Sequence, residues 1–141
     1  MKLLLPLSVA ICLPLAACKS SIASRVPVEA AIADFHADYN AGAYTHIREE
    51  ADPDFKDGNS SADLSSNLTI VKAKLGRFKS SRIVSFNLST GVDSGTARVT
   101  VESIYELGKA SEEFRFFIDS GKPFLHSLAI DAPSVGLKKT L

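Results

Sequence analysis

Residues 96–106 read Thr-Ala-Arg-Val-Thr-Val-Glu-Ser-Ile-Tyr-Glu. Ala97, Val99, Val101, Ser103 and Tyr105 share one side of an extended chain, and Arg98, Thr100, Glu102 and Glu106 share the other. A period of two with one apolar side belongs to a strand that packs on one face and meets water on the other. Upstream, Gly91-Val92-Asp93-Ser94-Gly95 has the glycines of a hairpin loop, preceded by a strand from Ile83 to Ser89. Downstream, Leu107-Gly108-Lys109 turns the chain into Glu112 to Asp119, where Phe114, Phe116 and Ile118 point inward. Ser120-Gly121-Lys122-Pro123 turns it again, and Phe124 to Asp131 forms the last strand. Short loops between alternating strands predict an antiparallel meander of four.

Before residue 76 the period is helical. Val28, Ile32, Phe35 and Tyr39 make one helix face between Pro27 and Gly42, residues suited to the first turn and the stop. A shorter helix is predicted from Ala43 to Ala51, ended by Asp52-Pro53. Leu64, Leu68, Val71 and Leu75 mark a third helix, about Ala62 to Leu75, closed by Gly76. The expected fold class is α+β, with three N-terminal helices packed on one face of a twisted four-stranded antiparallel sheet.

The N-terminus reads as an address. Lys2 precedes an apolar stretch, Leu3 to Leu15, that is too short for a membrane span of about 20 residues and has signal-peptide proportions. It ends Leu15-Ala16-Ala17-Cys18, which resembles the bacterial lipobox at all four positions. The resemblance implies cleavage before Cys18, a diacylglycerol thioether on its sulfur, and an acyl chain such as palmitate on the new amino group. Two or more chains anchor stably, at about 0.8 kcal/mol per buried methylene. Lys19, where Asp would favour inner-membrane retention, implies the outer membrane of the cell envelope, facing the periplasm. The expected organisation is a signal peptide over 1–17, a lipidated cysteine and tether over 18–26, an α+β domain over 27–131 and a flexible tail over 132–141. Cys12 falls in the discarded segment, so a disulfide within one mature molecule is excluded.

Several local features resemble small exported bacterial lipoproteins with the cone-shaped fold named after nuclear transport factor 2. They are the Asn40-Ala41-Gly42-Ala43-Tyr44 turn after an aromatic helix, Phe55-Lys56, Leu75-Gly76, and the late hairpin from Phe114-Arg115-Phe116-Phe117-Ile118 to Gly121-Lys122-Pro123-Phe124. The family usually has Trp near position 124 and an aliphatic residue two positions on; here they are Phe124 and His126. Its members include isomerases, dehydratases, carrier modules and dimerising scaffolds, so the fold leaves the activity open.

Sixteen basic and sixteen acidic side chains cancel, and no basic patch alternates with aromatics, which argues against nucleic acid as a partner. There is no Gly-rich phosphate loop, GxSxG elbow or CxxC pair, and no cofactor is expected. By alternation with Phe124, Leu128 and Ile130, His126 is expected on the inner face with Ser103 and Tyr105, lining a pocket in which His126 and Tyr105 could do acid–base work. The plainer reading of His126 is a hydrogen-bonded core histidine. Asp34 and Asp38, at i and i+4 with His36 between them, could share a proton or hold a cation but read as solvated carboxylates of a helix flank. His46, Glu49 and Glu50 have helical spacing but too few ligands for a metal site. The leading expectation is a non-enzymatic envelope lipoprotein that binds a partner protein or a small apolar ligand. An isomerase- or dehydratase-type pocket enzyme is the alternative. A third reading is a homodimer through the outer sheet face, where Ile104 and Phe117 are unusually apolar.

Overall fold

The computed structural model describes residues 22–141, with side chains from residue 25. The signal peptide over 1–17 and the lipidation of Cys18 lie outside the described residues. The described chain is α+β: α1 (Ile22–Ala41), α2 (Tyr44–Glu49), α3 (Pro53–Gly58) and α4 (Ser61–Leu75) precede a five-stranded antiparallel sheet. Its strands are β1 (Phe78–Thr90), β2 (Ser94–Tyr105), β3 (Lys109–Asp119), β4 (Lys122–Ala132) and β5 (Leu137–Thr140), in sequence order across the sheet.

Alanine favours the helical backbone along α1, and burial of Val28, Ile32, Phe35 and Tyr39 fixes its orientation on the sheet. The helix ends where Gly42 takes φ 71°. There the Ala43 N–H donates to Asp38 O at 2.8 Å and the Gly42 N–H to Tyr39 O at 3.2 Å, the paired bonds of a Schellman stop. Pro53 does end α2, as expected, but it also opens a further short helix that no apolar periodicity marks. Asp52 caps this α3 by accepting from the Phe55 N–H at 2.8 Å, and Phe55 is buried. Ser60 caps α4, whose Leu64, Leu68, Val71 and Leu75 are all buried as their spacing predicts.

Three expectations are corrected. The described residues form four α-helices and not three; α3 is short and carries a single buried apolar residue, so no periodicity marks it. The segment 18–26 is not all tether, since α1 begins at Ile22. The tail over 132–141 is not loose: β5 pairs with Ala129–Ala132, Leu141 exchanges two backbone hydrogen bonds with Leu128, and Leu137 and Leu141 are buried. Lys138-Lys139-Thr140 separates those two leucines and hides the pattern. β1 also starts at Phe78, earlier than Ile83, because register shifts between Phe78 and Ser80 and between Ile83 and Ser85 interrupt its alternation.

Candidate functional site

α1 crosses the sheet as a ridge with a furrow on each flank. On one flank, Pro27, Ala31, Asp34, Phe35 and Asp38 face Ile47 of α2, Glu50 just after it, and Phe116, Pro123 and Leu125 of the sheet. This groove encloses about 430 Å³. Its floor is apolar, and its charged residues stand on the rim: His46 Nδ1 lies 2.7 Å from Asp38 Oδ2, and Lys122 Nζ donates to Glu50 Oε2 at 3.1 Å. The Asp38 contact raises the His46 pKa above its ordinary 6.5, first through the hydrogen bond and then through charge. A concave apolar surface with a few polar groups at its lip is the usual form of a small-ligand site. The positions 27, 31, 34, 35 and 38 repeat with helical spacing and so share one side of α1, but Asp34 and Asp38 among them hide the groove wall from an apolar pattern.

The other flank of α1 meets β1 in a cleft of about 730 Å³, lined in part by Ile32, His36, Asn40, Phe78 and Ile83. Behind it lies a buried polar cluster. Glu112 is wholly buried on the inner face of β3. One of its oxygens accepts from Ser103 Oγ at 2.5 Å and lies 2.9 Å from His36 Nε2; the other accepts from the Tyr105 hydroxyl. His36 stacks on Phe78 with ring centroids 3.7 Å apart. Burial, and then the neighbouring Glu112, push the Tyr105 pKa well upward, so its hydroxyl keeps its proton and donates. Among the described residues no buried side-chain nitrogen or oxygen lacks a partner, and this cluster is how the interior meets that requirement.

Ser103 and Tyr105 therefore come together as expected, but around Glu112 and His36 and without His126. The β3–β4 register slips between Arg115 and Phe116: Arg115 faces Ser127 while Phe116 faces Leu125, leaving His126 as the extra residue of a bulge. The bulge reverses the parity of β4. Leu125 turns inward in place of Phe124, and His126 turns out with 44% of its side chain exposed. From Arg98, opposite Arg115, to Tyr105 is seven residues of β2, roughly 23 Å. His126 and Tyr105 make no acid–base pair.

His126 instead holds the helices to the sheet. Its Nδ1 lies 2.6 Å from Asp52 Oδ2, beside the bridge in which the Asp52 N–H donates to Leu125 O at 3.0 Å. Asp52, Asp54 and His126 each bring one donor atom within 4.8 Å of the others. Asp52 is already engaged as helix cap and histidine partner, so its carboxylate is accounted for without a cation.

No family model matches this sequence, and no curated protein matches it. The remaining helical clusters resolve simply. His46 reaches Asp38 and not Glu49, and His36 turns away from Asp34 and Asp38 into the core. Ile104 and Phe117, at 44% and 41% exposure, lie on the outer sheet face as expected. Sequence reasoning missed Glu112, although it has the same parity as Phe114, Phe116 and Ile118.

Proposed function

We propose that this chain is a bacterial envelope lipoprotein, anchored by Cys18 on the periplasmic side of the outer membrane. Its domain, of the nuclear transport factor 2-like cone type, holds a small apolar ligand in the groove between α1 and β4. The anchor rests on Leu15-Ala16-Ala17-Cys18. Ligand binding rests on one observation: the groove's apolar floor, formed by Ala31, Phe35, Ile47, Phe116 and Leu125, stays concave although both neighbouring elements are well packed. The non-enzymatic part of the reading is supported by the placement of the titratable groups: His46 with Asp38 and Lys122 with Glu50 pair with each other at the rim, and the floor itself is apolar.

The test is fluorescence of N-phenylnaphthylamine, which brightens in apolar sites. Wild-type protein should enhance it with saturable, one-to-one binding, and Ala31→Trp, which fills the groove, should abolish the enhancement. Equal enhancement by both proteins would remove the groove from the reading. A homodimer through the outer face is a second reading, favoured by the exposure of Ile104 and Phe117. Sedimentation should then show a dimer that Phe117→Lys converts to monomer.

A further inference from the structure

The groove starts at the end of the domain nearest Cys18. α1 begins at Ile22, four residue steps from Cys18, a reach of at most about 14 Å. The domain therefore cannot stand off from a bilayer in which Cys18 is lipidated. The direction of α1 decides which end approaches. Near its start, the Arg25 guanidinium sits 5.0 Å from the Phe86 ring, mid-way along β1. Near its finish, the Tyr39 hydroxyl donates to Gly76 O at 2.8 Å, and Asn40 pairs with the Phe78 backbone. The helix thus runs away from the sheet end that carries the β1–β2 and β3–β4 turns.

Those two turns are joined, since the Ser120 N–H donates to Asp93 O at 3.0 Å. At their tip Val92 is fully exposed, and on α1 Val26 is 60% exposed. Lys122 and Pro123, just past the β3–β4 turn, line the groove together with Pro27. From Pro27 the groove follows α1 to Asp38, eleven residues or roughly 16 Å of helix. It is a long apolar furrow with one end at the anchor.

We propose that this furrow takes one acyl chain of a single-chain lipid drawn from the bilayer that anchors the protein, with Val92 dipping into that surface. The inference rests on the lipoprotein reading and on the groove as the binding site. The rim carries both signs, Lys122 paired with Glu50 and His46 with Asp38, and so can meet a polar head, while the floor from Ala31 to Ile47 covers the chain. The occupant is a bilayer lipid and not a Cys18-linked chain. A chain drawn from Cys18 would give up about 0.8 kcal/mol of anchoring for each methylene removed from the membrane.

The experiment uses full-length lipidated protein in vesicles of phosphatidylethanolamine and phosphatidylglycerol. The chain has no tryptophan, so single reporters can be read cleanly. Brominated phospholipid should quench Val92→Trp several-fold more than Ser134→Trp, which lies beside the β2–β3 turn at the opposite end. In the same vesicles, cis-parinaric acid should bind one-to-one, and Ala31→Trp should weaken it at least tenfold. Ala30→Trp, on the exposed lip, provides the same block should the first variant misfold. Equal quenching at positions 92 and 134 would overturn the orientation. Unchanged parinaric acid binding in a folded blocked variant would overturn the occupant, as would binding that appears only after the Cys18 lipid is removed. If naphthylamine binds and parinaric acid does not, the acyl assignment fails while the groove stands. Wild-type protein that does not float with vesicles marks failure of the anchor itself, and this inference falls with it.

Discussion

Glu112 is a carboxylate at full burial whose surroundings were built to receive it. Ser103, Tyr105 and His36 come from β2 and α1, so one side chain ties the first helix to the middle of the sheet. Glu112→Leu would leave the two hydroxyls and His36 Nε2 without an acceptor in a dry interior. The expected loss is about 3–5 kcal/mol, read as a lower urea midpoint at unchanged slope. Tyr105→Phe removes one donor and should cost about 1–2 kcal/mol in the same assay. A Glu112→Leu protein as stable as wild type would show that apolar packing alone seats α1. His126→Leu offers the contrast: its partly exposed pair with Asp52 should cost no more than about 1 kcal/mol.

At the scale of the element, β4 shows where alternation can be read and where it stops. Leu128 and Ile130 are buried as the pattern predicts, because they follow the bulge, whereas Phe124 and His126 precede or occupy it and exchange faces with Leu125. A bulge is a property of two paired strands, and nothing within Phe124 to Asp131 announces it. Leu125→Ala should therefore cost about 2–4 kcal/mol and Phe124→Ala distinctly less, the reverse of strict alternation; paired urea titrations decide the order. The helical stripes of α1 and α4 were fully legible, because their contacts repeat within one segment at fixed spacing. Glu112 was legible only by parity, since its three donors lie 7, 9 and 76 residues away. The α1–α2 contact carries its own test. Asp38 raises the His46 pKa above 6.5, so protonated His46 favours the folded state. That contribution is complete below the unfolded value near 6.5 and is lost as pH climbs through the higher folded one. An imidazole titration by NMR should place His46 above 6.5, and Asp38→Asn should bring it back down.

At the scale of the whole domain, the two edges of the described sheet differ. Among the described residues β1 offers an unpaired edge, whereas β4 is met at Leu125 by the Ala51 bridge and from Leu128 to Ala132 by Leu141 and β5. The groove beside β4 depends on that covering, because Leu125 and Pro123 form part of its wall. Ending the chain after Ala132 would strip the second half of the edge and uncover Ala132, now wholly buried. It would also remove the burial of Leu137 and Leu141, worth roughly 2 kcal/mol each, partly offset by the freedom regained by the removed segment. A net loss of about 2–3 kcal/mol corresponds to a Tm lower by roughly 10–20 °C. Circular dichroism melts of the full chain and the truncated one make the comparison. Because α1 and α3 seat on β4 and α2 packs against α1, the groove is held without the lost pairing, and the truncated protein should still bind naphthylamine well below its Tm. Unchanged melting would show that β5 merely rests on the sheet, whereas binding lost at temperatures where the shortened chain is folded would show that the strand shapes the groove itself.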